Sequence, residues 1–121
     1  MQAQKDQHEL IKHDHQSTIG NDRTTSIGND ESQTVGNNLM QQVLNNLSEV
    51  VGTNRSRTVG NNETVQVGQN QSTNVGQMIS IVCGKSSLTM DKDGNISLQG
   101  TNITVSGSDH VQVSSALIDL N

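Results

Sequence analysis

The chain has no phenylalanine, tyrosine, tryptophan or proline and only one cysteine among its 121 residues. Without aromatics an ordinary globular core lacks its largest pieces, and only 29% of the residues are hydrophobic, with a mean hydropathy of -0.59. One copy of such a chain buries too little apolar surface to offset the entropy lost on ordering. By composition alone it sits near disordered sequences. The lack of proline leaves nearly every backbone N–H free to join a ladder. A single cysteine excludes a disulfide within the chain. No apolar run approaches about 18 residues, and Met1-Gln2-Ala3-Gln4 is not a charged-then-apolar leader. Neither helical membrane insertion nor the general secretory route is expected. Lys and Arg number 7 against 12 Asp and Glu, giving a net charge of -5 with the cations scattered. Nucleic acid and anionic lipid are therefore not expected partners.

What the chain does have is a repeat of eight. An apolar residue followed by glycine returns as Ile19-Gly20, Ile27-Gly28, Val35-Gly36, Val51-Gly52, Val59-Gly60, Val67-Gly68, Val75-Gly76 and Cys83-Gly84. Val43-Leu44 keeps the spacing without the glycine. After each glycine come residues such as Asn21-Asp22 or Asn61-Asn62. Such residues tolerate positive φ and hydrogen-bond their own backbone, so they mark corners. The remaining residues of each octad, such as Arg23 to Ile27, are rich in Thr and Ser, end in a β-branched residue and read as one short strand. A second uniform column holds Thr24, Ser32, Ser48, Ser56, Thr64, Ser72 and Ser80. It differs in strand parity from the Ile/Val column, so a bend before the valine is expected.

Eight residues span roughly 26 Å, too short a perimeter to enclose side chains, so an octad is one side of a prism and three octads make a turn. The octads could follow one another in one chain, or three chains could wind around one axis. Composition favours the second arrangement: an all-β, intertwined triple-stranded β-helix forming a homotrimeric triangular prism. The Ile/Val column, Ile19, Ile27, Val35, Val43, Val51, Val59, Val67, Val75 and Cys83, would then meet on a common axis.

Three segments follow. Residues 1–18 are degenerate octads in which Ala3 and Ile11 keep the register, residues 19–84 are the Val-Gly β-helix, and residues 85–121 form a C-terminal β-helix and tip. In the last segment apolar residues pair at alternate positions: Leu88/Met90, Ile96/Leu98, Ile103/Val105, Val111/Val113 and Ile118/Leu120. Asp93-Gly94-Asn95, Gly100 and Gly107-Ser108-Asp109 are its expected corners, and its paired positions an expected denser core. Leu39 to Val50 also fits helical spacing, with Asn38 as an N-cap. A helical insertion has no reason to be a multiple of eight, so the segment is assigned to strand and to a dry plug in the interior.

Rival functions find less support. Ser106 or Ser108 with Asp109 and His110 is the best catalytic constellation, but no Gly-x-Ser-x-Gly elbow accompanies it and adjacent strand residues face apart. No enzyme is expected. Gly20-Asn21-Asp22 and Gly28-Asn29-Asp30 look like calcium-repeat corners, but the period is eight rather than nine and later octads lose the Asp. His8, His13 and His15 beside Asp6, Glu9 and Asp14 read as a solvated end rather than a metal site. Cys83 reads as a small buried hydrophobe, and no cofactor is implied. A single-chain β-solenoid adhesin or ice-binding surface protein is the serious alternative, against which the octads show no period of three.

The Val-Gly octads from Ile19 to Gly84, then Cys83-Gly84-Lys85-Ser86-Ser87-Leu88, Asp93-Gly94-Asn95-Ile96 and the ending Ile118-Asp119-Leu120-Asn121, resemble the C-terminal needle of VgrG, the valine-glycine-repeat spike family of the type VI secretion system. They are also similar to the cell-puncturing spike of contractile phage tails. The resemblance implies a membrane-puncturing spike, secreted without a signal peptide, assembled in the bacterial cytoplasm and driven through a target-cell envelope by a contracting sheath. It implies transient contact with the target membrane, effectors as cargo and a PAAR-repeat cap on the tip, for which Ile118, Leu120 and Asn121 are the expected platform. The family's N-terminal hub, which joins the tail tube, and its oligonucleotide-fold region have no counterpart in these residues, so a needle fragment is expected. Light scattering separates the two architectures: three chains per particle are expected, and one chain per particle would favour the solenoid.

Overall fold

The structure is a computed structural model and describes residues 5–121; Ala3 of the degenerate octads lies outside them. Contacts divide the chain into two units, Met1–Arg55 and Ser56–Asn121. Among the described residues there is no helix. Residues 39–50 are accordingly not helical, in line with the multiple-of-eight argument.

The first unit contains no ladder-bonded strand among its described residues; its order is a series of bends. After a bend at Lys5 these fall at Lys12-His13, Gly20-Asn21, Gly28-Asn29, Gly36-Asn37, Leu44-Asn45 and Gly52-Thr53, eight residues apart from Lys12 onward. The octad therefore survives as geometry at Lys12 and Leu44, where glycine is absent. The second unit continues with bends at Gly60-Asn61, Gly68-Gln69 and Gly76-Gln77. In both units the bend occupies the glycine and the next residue rather than a position before the valine, which corrects the sequence expectation. Among the described residues positive φ occurs at Gly84 (55°) and Gly94 (88°), so the octad corners from Gly20 to Gly76 turn without it. Nor does anything in the same chain lie within 4 Å of a Cβ built on those glycines.

Among the described residues one part of the chain pairs with itself. Strands β1 (Met78–Cys83), β2 (Ser86–Asp91) and β3 (Ile96–Gln99) form an antiparallel meander in the order β1-β2-β3. Alternation builds its face: Ile79 lies opposite Met90 and Met90 opposite Ile96, while Ile81 lies opposite Leu88 and Leu88 opposite Leu98. Ser80, Thr89 and Ser97 occupy the other side together with Ser87, Met78 and Val82, so one face is apolar and the other mixed, with a row of hydroxyls across its middle. Gly84-Lys85 is a two-residue loop with positive φ at its first residue only, the pattern of a type II′ turn. Lys92-Asp93-Gly94 is a three-residue loop in which Gly94 N–H donates to the Asp91 carbonyl (3.3 Å) and Gly94 takes the left-handed position. At Gly84 and Gly94 the chain thus reverses instead of turning the prism corner expected there, because each glycine follows a strand whose neighbour pairs with it directly.

Beyond Gln99 further bends fall at Thr101-Asn102, Ser108-Asp109 and Ala116. No described residue is buried, so the dry plug at Leu39–Val50, the buried Cys83 and the denser C-terminal core are not found within one chain. The chain exposes 13762 Å². A folded monomer of this mass exposes roughly 6,300 Å².

Two substitutions check these turns. Gly94→Ala, forced into positive φ, is expected to cost about 1 kcal/mol. Gly107→Ala is expected to cost more, about 1–3 kcal/mol, because its Cβ would stand 2.6 Å from the His110 carbonyl oxygen and 2.9 Å from Val111 Cγ2. Thermal unfolding of each variant against Gly20→Ala, where space is open and φ ordinary, measures the difference.

Candidate functional surface

The surface is best read by comparing apolar residues at different octad positions. Ile19, Ile27, Val35, Val43, Val51, Val59, Val67 and Val75 are each exposed by 43–52%, a narrow band maintained down the column. Met40, Leu44 and Val50, at other octad positions, are 87–93% exposed. The same value returns near the C-terminus at Ile103, Val111 and Ile118, spaced eight and seven apart, whereas their partners Val105, Val113 and Leu120 are much more open. One octad position is therefore about half exposed at each repeat, in both units. Leu39 and Leu47 share its strand parity and add apolar area around Val43. Ile81, Leu98 and Ile96 on the apolar face of the meander are equally uncovered, with Cys83, Ser86 and Leu88 beside a shallow groove.

Charges cluster at two corners. Arg55 Nε lies 3.4 Å from Glu49 Oε1, and Arg57 Nη1 lies 2.9 Å from Glu63 Oε1. Each pair straddles a corner glycine, Gly52 or Gly60, by three residues on either side. The sequence reading passed over these pairs; the signal was opposite charges six apart, centred on a glycine.

Another feature missed in the sequence is the Asp91 turn. Asp91 Oδ1 accepts from the N–H of Asp93 (3.0 Å) and of Asn95 (3.0 Å), and Oδ2 accepts from Asn95 Nδ2 (3.0 Å). Asp-x-Asp-Gly-Asn carries that signal, since a short carboxylate before Gly satisfies the loop's free donors. The Asn95 side-chain bond, followed by the Asn95 backbone bond, holds the Asp91 carboxyl below its ordinary value of 3.8. Every backbone N–H from Lys92 to Asn95 is taken up by the protein itself, so the Asp91 carboxylate has a structural role here.

The sequence-derived residues fall as follows. Of the repeat core residues, Ile19 to Val75 recur at one octad position with similar exposure, while Cys83 ends β1 opposite Ser86; the corner glycines from Gly20 to Gly76 sit at the bends, and Gly84 sits in a hairpin. Ile118 belongs to the half-shielded set and Leu120, with Asn121, to the open end. Ser108 and Asp109 form a bend beside Ser106 and His110. Among the described residues no group of His, Cys, Asp or Glu is arranged to hold a metal, and no helix is long and apolar enough to cross a membrane.

Among the described residues there is no helix, an apolar position returns half exposed every eight residues, and no side chain is buried. The family model for the bacteriophage T4 gp5 C-terminal trimerisation domain matches residues 1–82, and the chain belongs to this family. No curated protein sequence matches it significantly. Membership supports a homotrimer and a structural role in a phage-tail-like spike.

The Asp91 turn gives a pH test. Because the folded carboxyl titrates below its unfolded value, its contribution is present above that value and is lost as pH falls through the folded one. Unfolding of the meander followed below pH 4 should show this loss, since the ordinary value is 3.8. Asp91→Ala should weaken the hairpin at neutral pH and flatten the acid dependence.

Proposed function

We propose that the chain is one third of an intertwined, triple-stranded β-helical needle, a triangular prism that acts as the puncturing spike of a type VI secretion machine. Its role is mechanical rather than catalytic. The observation that carries the reading is the uniform Ile/Val column, half-covered by its own chain and half bare at every octad. Three such columns meeting on one axis cover one another's open halves, and at about 25 cal/mol per Å² this burial supplies what a single chain lacks. The octads also gain ladder partners on both sides from neighbouring chains, which removes lateral edges and stiffens the rod. The bare Leu120 end fits a platform for a PAAR-repeat tip protein, and effectors and a tail-tube hub complete the machine.

The assembly should migrate as a trimer in detergent without heating; monomeric migration with a monomer mass by light scattering would refute it. Val51→Asp places three carboxylates against one another and should abolish that migration, whereas Val50→Asp, at the open position, should leave it intact. A rod of roughly 70 Å is expected by small-angle scattering, from about ten octads and about five later strands at 4.8 Å each. Removing Leu120-Asn121 should leave the trimer stable and abolish binding of a cognate cap; unchanged cap binding would end the platform assignment.

A further inference from the structure

We propose that Glu49, Arg55, Arg57 and Glu63 close into a ring of four alternating charges between neighbouring copies of this chain, and that the ring fixes their stagger at one octad. The inference rests on the trimer proposed above and goes beyond it, because a trimer does not by itself say which side chains set the register.

Each half of the ring is visible in the single chain. Glu49 and Arg55 meet across the corner at Gly52, and Arg57 and Glu63 meet across the next corner, at Gly60. The order of sign is reversed from one corner to the next: acid then base at Gly52, base then acid at Gly60. When three chains wind around one axis and each octad climbs one strand spacing, residue i+8 of one chain stacks on residue i of its neighbour, about 4.8 Å away. The Gly60 corner of one copy then lies on the Gly52 corner of the next. Arg57 falls on the neighbour's Glu49, and Glu63 on the neighbour's Arg55. Two in-chain pairs and two between-chain pairs close a ring in which every neighbour has the opposite sign.

The alternatives do not produce this. A chain coiling on itself three octads per turn would stack i+24 on i, placing Ile81 on Arg57, Ile79 on Arg55 and Thr73 on Glu49. Arg23 and Glu31, also one octad apart, repeat the opposite-sign rule at a second level. Like charges at this spacing occupy a different column, Asp6, Asp14, Asp22 and Asp30, two residues past the corner, which continues as Asn38, Asn46, Asn54, Asn62 and Asn70. Each in-chain pair is half-exposed and weak alone. Its value lies in rejecting wrong registers, where like charges would face.

The test exchanges one corner. Glu49→Arg with Arg55→Glu keeps the in-chain pair, the composition and the net charge, but sets like charges against the neighbour's Arg57 and Glu63. Trimer dissociation temperature should fall, and adding Arg57→Glu with Glu63→Arg should restore it to the parent value. A trimeric double variant as stable as the parent, or a fourfold variant that does not recover, overturns the ring and leaves the trimer standing. A second measurement uses Glu49→Cys with Arg57→Cys in a Cys83→Ser background. Oxidation should give a covalent species of three chain masses, since stacking at about 4.8 Å lies within disulfide reach. Trimers that yield only single-chain bands contradict the stagger, and a parent chain that is monomeric overturns both the ring and the needle.

Discussion

The structure depends on an apolar column that its own chain can only half cover. An isoleucine or valine returns every eighth residue from Ile19 to Val75, about half exposed each time. The chain has no aromatic residue, and no described side chain is buried. In the needle proposed above, folding and association are one event for the octads, because the partner copies supply both the missing apolar contact and the missing ladder bonds.

The meander from Met78 to Gln99 obeys a different rule. There the chain finds its ladder partners within itself, through two tight reversals at Gly84 and Gly94. Its order is local, and its apolar face, from Ile79 to Leu98, still lacks a cover. A segment that pairs alone next to octads that cannot gives the chain a place where structure can begin before partners arrive.

Much of this was legible in the sequence. The spacing of eight located the bends from Lys12 to Gly76, including those at Lys12 and Leu44 where glycine is absent, since a periodic column constrains the backbone even when one residue type is replaced. The alternate apolar pairs Leu88/Met90 and Ile96/Leu98 placed those residues on one face, as the period of two requires. The reversals were misread because Gly84 continues the octad spacing in sequence, and only the pairing of Ile81 with Leu88 distinguishes a hairpin from a corner. The corner ion pairs were missed because six residues is neither a helical nor a strand spacing; it has meaning only once a bend lies at the midpoint.

The central claim is that the octads acquire their backbone partners from other copies. Amide hydrogen exchange tests it most directly, residue by residue, on the intact protein. Within one chain the N–H groups between Lys12 and Gln77 have no ladder acceptors among the described residues, whereas those of Met78 to Gln99 do. The account predicts slow exchange through both stretches, with the octads as well protected as the meander. Protection confined to residues 78–99, with residues 12–77 exchanging as an unstructured chain, would contradict it.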